Sequence, residues 1–161
     1  MRILGIDPGT ARTGYGVVDV LDSGVKSVAY GCICTEKGTA KEKRLQTLHE
    51  KVSELMTIHH PDVMAQELLF FSKNSKTAMV VGEARGVILL AAAQSNVPVC
   101  EYTPLQVKGS LSGYGRSSKD EVREMVKLHL GLSAIRSTDD AADALAVALC
   151  HLFYTETGAF Q

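Results

Sequence analysis

The 161-residue chain has no apolar run near the roughly 18 residues needed to span a bilayer; its longest runs, 87–93 and 144–150, hold seven each. The opening Met1-Arg2-Ile3-Leu4-Gly5-Ile6-Asp7 lacks the basic region and cleavage site of a secretory signal, so a cytoplasmic protein with no membrane partner is expected. Cysteines stand at 32, 34, 100 and 150 without any C-x-x-C pair, which argues against a zinc site. Buried, reduced thiols are expected instead, with Cys32 and Cys34 on one face of a strand. Neither charge is in excess: 17 Lys and Arg face 18 Asp and Glu, for a net charge of −1. That balance excludes a histone-like nucleic-acid binder but leaves room for a local basic patch. No repeat, low-complexity tract or linker divides the chain, so one domain over 1–161 is expected, its last residues (about six) a flexible tail.

What is present suits a folded domain. Hydrophobic residues make up 45% and charged residues 22%, near the globular average, and a chain of this length buries roughly 70% of its unfolded surface. Residues 2–7 form a short strand, a turn follows over 9–14, and 15–20 and 25–35 form two further strands, an antiparallel meander. Leu45, Leu48, Val52, Leu55 and Met56 recur at helical spacing within 40–58, and Pro61 ends that helix. Strands at 62–67 and 97–102 flank a long helix at 74–95. Thr103 caps a short helix with Pro104 in its first position, and Gly113-Tyr114-Gly115 breaks it. Ser118-Lys119-Asp120-Glu121 is a capping box that opens a helix to about 130; Ser137-Thr138 cap the last helix, to about 154. A meander followed by alternating β and α elements predicts an α/β fold: a five-stranded mixed sheet with helices on both faces.

Four carboxylates stand out. Asp7 and Glu67 end apolar strands, the end where α/β sheets place ligands, and a lone charge in the sheet centre is costly. Asp140 and Asp143, three apart, share a face near the head of a helix that is apolar on every side. Each has a plainer explanation: a turn before Pro8, an exposed strand end, or a favourable place at a helix N-terminus. Taken together, and with no Lys or Arg beside them in sequence, they point to Mg²⁺ or Mn²⁺, which prefer oxygen ligands. Two such ions about 4 Å apart serve phosphodiester cleavage.

The blocks Gly5-Ile6-Asp7-Pro8-Gly9, Gly14-Tyr15-Gly16, Glu83-Ala84-Arg85-Gly86-Val87, Gly113-Tyr114-Gly115 and Asp140-Ala141-Ala142-Asp143-Ala144-Leu145-Ala146 resemble the signature of the RuvC family of Holliday junction resolvases, over about 1–155. The resemblance implies an RNase H-like fold, a homodimer, Mg²⁺-dependent nicking of four-way DNA junctions (Mn²⁺ substituting, two ions per subunit) and work alongside the RuvA–RuvB branch-migration complex. It also implies that Asp7, Glu67, Asp140 and Asp143 are the catalytic, metal-holding carboxylates, that Lys108 and Lys119 are basic residues of the active site, and that Phe70 meets DNA bases. Phe71 follows directly, so which ring faces the DNA stays open.

Lys73, Lys76 and Arg85 after the Glu67 strand, and Lys108, Arg116, Lys119 and Arg123 around the glycine pair, can neutralise phosphates; the plainer reading is a solvated face. Lys41, Lys43 and Arg44 read as such a face. The helix at 79–93 is apolar on more than one side, with Gly82 and Gly86 four apart. Either these glycines pack that helix closely on its own sheet, or they form a dimer face. Rival functions are an actin-like or sugar-kinase ATPase, which needs a second domain and a second phosphate loop; a non-catalytic DNA-binding module; and another nuclease of the same fold, such as an RNase H.

Overall fold

The computed structural model describes residues 1–68 and 75–156, with side chains in the second segment described from residue 78 onward. β1 (Arg2–Asp7), β2 (Arg12–Leu21) and β3 (Gly24–Cys34) come first, then α1 (Lys41–His59), β4 (Val63–Glu67), α2 (Ser75–Gln94) and β5 (Val99–Tyr102). α3 (Pro104–Ser112), α4 (Lys119–Leu130) and α5 (Asp139–Glu156) complete the described chain. Among the described residues the strands form one sheet in the order β3-β2-β1-β4-β5. β1 and β3 pair antiparallel with β2, whereas β4 pairs parallel with β1 and with β5. Parallel neighbours need a crossover, and α1 and α2 supply the two. This is the mixed, RNase H-like sheet that the sequence predicts.

Strand alternation sorts the side chains into two cores. Leu4, Ile6, Val17, Ile33 and Met64 bury against Leu48, Val52 and Met56 of α1 and Ala84, Ile88 and Ala91 of α2. Ile3, Val18, Val63 and Ala65 face the other way, onto α3, α4 and α5. α5 lies between the sheet and the other two helices, and residues from Ala144 through Leu152 are buried without a break. That is why its sequence is apolar all round; truncating Leu145 to alanine there would cost about 2–5 kcal/mol.

The signature glycines explain how α5 lies so close to the sheet. A Cβ at Gly5 would collide with the Ala144 carbonyl, one at Gly14 with the Asp140 carbonyl, and one at Gly16 with Leu145. The helix backbone therefore rests on β1 and β2 where side chains are missing.

Several expectations need correction. β2 begins at Arg12, because Arg12 and Thr13 pair with Cys34 and Ile33 of β3. α1 does end just before Pro61, as expected; His60 closes it by turning left-handed (φ 45°), its N–H donating to the Met56 carbonyl at 2.9 Å. Of the thiols, Cys150 is buried, but Cys34 is exposed and Cys32 and Cys100 are half-buried. β3 is an edge strand, which leaves its end less covered than the inner strands. Among the described residues, a Cβ at Gly82 or Gly86 would meet nothing within 4 Å, which does not fit close packing of these glycines on the sheet. The expected caps at Thr103 and Ser118 are both present as reciprocal capping boxes. α5 extends through Glu156, and the rest of the expected tail lies outside the described residues.

Candidate active site

The site follows from strand parity. Ile3, Gly5 and Asp7 share one face of β1; Val63, Ala65 and Glu67 share the same face of β4. The register Ile6↔Gln66 makes Asp7 and Glu67 neighbours at the C-terminal ends of the central strands. α5 crosses that face with its first turn at the same end, which brings in Asp140 and Asp143.

Asp7, Glu67 and Asp143 line one pocket of about 320 Å³ together with Lys108, Lys119, Pro104, Val107, Val122 and Ala146. Lys119 donates to Asp143 Oδ2 at 2.8 Å, although it starts a different helix. Asp140 does not line the pocket. Its Oδ2 pairs with Arg12 Nη2 at 2.7 Å and stands 3.9 Å from Cys32 Sγ. No cation stands directly beside these carboxylates in sequence; the fold pairs two of them, Asp143 with Lys119 and Asp140 with Arg12.

Charge is strained at the centre. Burial, then the neighbouring charges of Glu67, Asp143 and Asp140, push the Asp7 carboxyl up to about 7. Glu67 is raised too, by burial and by Asp143, with Lys119 and Lys108 acting in the opposite direction. Its partner Asp143 holds the Lys119 ammonium above its usual range. A cluster of carboxylates that resists ionising is chemically suited to a hard divalent cation, since every donor is an oxygen. Among the described residues, no three His, Cys, Asp or Glu side chains yet stand close enough to hold an ion together.

The other expected residues fall in different places. Arg116 is exposed in the α3–α4 turn. Arg85 donates to Glu101 from Nε (3.0 Å) and from Nη2, and Gln66 Nε2 donates to the same oxygen at 3.2 Å. Arg123 pairs with Asp139 at 2.6 Å and reaches the Ile135 carbonyl. These two guanidinium groups are thus engaged within the chain. Phe70, Phe71 and Lys73 lie outside the described residues, and so does the side chain of Lys76 in the first turn of α2. Arg12 is the residue that sequence reasoning passed over. The signal was its closeness to Asp7 across the β1–β2 hairpin, which puts it at the same end of the sheet.

A mixed sheet in this order, with carboxylates at the ends of its two inner strands and on the helix that crosses them, defines the RNase H-like nuclease class. The comparisons narrow it. A profile of the family described as crossover junction endodeoxyribonuclease RuvC matches residues 3–151. A crossover junction endodeoxyribonuclease RuvC of Caldicellulosiruptor saccharolyticus is 51% identical over all of this chain and 98% of its own. The Thermus thermophilus RuvC structure superposes with a TM-score of 0.91 at 37% identity, covering 98% of this chain and 97% of that one. T. thermophilus RuvC in complex with Holliday junction substrate gives 0.90 at 35% identity, covering 98% of this chain and 96% of that one. The chain belongs to the crossover junction endodeoxyribonuclease RuvC family.

Proposed function

We propose that the chain is a divalent-metal-dependent endonuclease, one nuclease domain per chain, that resolves four-way (Holliday) DNA junctions in recombination and repair. It does so by paired, symmetric nicks in strands of like polarity. The observation that carries this reading is the pocket itself: three carboxylates and two lysines from five separate elements converge on one cleft, in a chain of the RuvC family.

Asp7, Glu67, Asp140 and Asp143 would hold Mg²⁺, or Mn²⁺ in its place, as two ions per subunit. Such ions activate water at neutral pH and stabilise the charge on a leaving oxygen. The chain's own cations do the rest. Lys108 and Lys119 flank the same cleft, one from α3 and one from the start of α4, and hold the scissile phosphate against the carboxylates. Lys119 gives one of its three N–H donors to Asp143 and keeps the others for a phosphate, so it can link substrate to the acidic cluster. Val107, Val122 and Ala146 give that cleft an apolar wall, which limits the water that competes for these charges.

The junction's backbone is further met by Lys73, Lys76 and Arg116, with Phe70 stacking on bases; Arg85 and Arg123 join only by exchanging Glu101 and Asp139 for phosphate. Two identical sites suit a nearly two-fold substrate, so the enzyme is a homodimer. The outer stripe of α2 supports this: Met79, Val80 and Leu90 are exposed around the open Gly82 and Gly86. The protein works in the cytoplasm beside RuvA–RuvB.

The deciding experiment sets a four-way junction against an RNA–DNA hybrid and a linear duplex of the same sequence, with Mg²⁺. Symmetric nicks in the junction alone are expected. Preferential cutting of the RNA strand would replace this reading by an RNase H activity.

A further inference from the structure

Asp140 is the carboxylate of the four that does not line the pocket, and its Oδ2 is paired with Arg12 at 2.7 Å. The loop that delivers Arg12 is braced on both sides. Thr13 Oγ1 donates to the Gly9 carbonyl and Thr35 Oγ1 to the Thr10 carbonyl, each at 2.5 Å. The Thr35 N–H donates to the Ala11 carbonyl at 3.0 Å, and Arg44 Nε holds the Thr35 hydroxyl at 2.9 Å. The backbone on either side of Arg12 is therefore held, while its side chain is 50% exposed and within reach of an incoming phosphate. Such a braced loop, running into the start of β2, presents one cation beside an acidic site.

We propose that Arg12 is a clamp on Asp140. In the DNA-free protein it keeps this carboxylate away from Asp7, Glu67 and Asp143; it lets go when a DNA phosphate takes its guanidinium, and only then does Asp140 join a divalent cation. This rests on reading the four carboxylates as the metal site. The physical reason is competition: a guanidinium occupying Oδ2 blocks that oxygen and repels an incoming dication. The same competition makes metal and DNA help each other, since whatever removes Arg12 from Asp140 raises affinity for the ion, and the coupling is reciprocal. A guanidinium that merely pre-orients Asp140 for the ion would act with the opposite sign: its loss would weaken metal binding.

The test measures Mn²⁺ binding to DNA-free protein by electron paramagnetic resonance for wild type, Arg12→Gln and Arg12→Lys. Arg123→Gln is the control: it removes the partner of Asp139, one residue away, without touching the Arg12–Asp140 pair. Arg12→Gln should bind Mn²⁺ about two- to fivefold more tightly, the range that a half-exposed ion pair allows, with Arg12→Lys between it and wild type. In metal-free junction binding, Arg12→Gln should lower the salt slope by about one. Unchanged or weaker Mn²⁺ binding in Arg12→Gln would overturn the clamp, and so would an equal gain in Arg123→Gln, which would reduce the effect to net charge. An unchanged salt slope would overturn the phosphate as the place Arg12 goes. Asp7→Asn separates the two levels of the argument. If it fails to weaken Mn²⁺ binding, the metal reading falls and the clamp with it; if it does weaken it while Arg12→Gln has no effect, only the clamp falls.

Discussion

Lys119 and Asp143 are joined by a 2.8 Å ion pair that ties the first turn of α4 to the first turns of α5, across the mouth of the pocket. A cation in the first turn of a helix opposes the helix dipole. Its position is explained by what it faces, not by the helix it belongs to. Lys119→Ala should therefore lower single-turnover nicking by about 10²–10³-fold, the usual loss for a group that stabilises developing charge. The melting temperature should move by only a few degrees, because the pair is largely solvent-exposed. A large fall in melting temperature with normal nicking per folded molecule would show that Lys119 is structural.

Replacing Asp7, Glu67, Asp140 or Asp143 by its amide keeps the shape and removes one anionic ligand. Each variant should nick a junction orders of magnitude more slowly yet still bind it in a gel-shift assay, because affinity rests on phosphate contacts. Wild-type nicking by Asp7→Asn would remove Asp7 from the reaction.

Asp7 also sets a pH dependence of stability. Its carboxyl is raised from the ordinary 3.8 to about 7 by burial and by its acidic neighbours. Between those values the folded protein keeps a proton that the unfolded chain releases. This group's contribution to stability is thus fully present below about pH 4, declines as the pH rises to about 7 and stays low above it. Asp7→Asn cannot ionise, so it should melt higher than wild type at pH 8 and show a flatter profile from pH 5 to 8. Mg²⁺ should raise the wild-type melting temperature more at pH 8 than at pH 5, since only the ionised cluster gains from it. Identical profiles for wild type and Asp7→Asn in calorimetry would contradict the shift.

Gly14 lies directly beneath the Asp140 carbonyl, and a Cβ there would also come 3.1 Å from the Asp140 Cβ. Gly14→Ala should push the head of α5 off the sheet. A folded protein with a lowered melting temperature and nicking reduced at least as much as in Asp140→Asn is expected. Normal nicking would mean that α5 does not need this contact to place its carboxylates.

The α2 stripe carries the dimer prediction. A Cβ at Gly86 meets nothing within 4 Å among the described residues, so the effect of Gly86→Leu should appear between chains. Sedimentation should show a folded monomer that binds junctions weakly and leaves unpaired nicks. A Gly86→Leu dimer that still cuts both strands in concert would place the interface elsewhere.

Much of this was legible in the sequence for local reasons. The meander, the crossover helices and the caps at Thr103 and Ser118 follow from periodicity and short-range hydrogen bonding, both properties of neighbouring residues. Asp7 and Glu67 could be paired in advance because each ends an apolar strand, and strand parity then puts them on one face. The all-apolar run after Asp143 already marked α5 as a buried helix. The left-handed residue that closes α1 is His60, not the glycine such a position usually takes, so only Pro61 marked that helix end in the sequence.

Tertiary structure alone decided which cation meets which carboxylate. Arg12 and Asp140 lie 128 positions apart, and only the rest of α5 on the glycines of β1 and β2 brings them together. Arg85 and Arg123 look as available for DNA as Lys108 does until the fold sets Glu101 and Asp139 beside them. A charge acts over a few ångströms in whatever direction the packed chain presents it, so a linear order records the charges of this protein but not their partners.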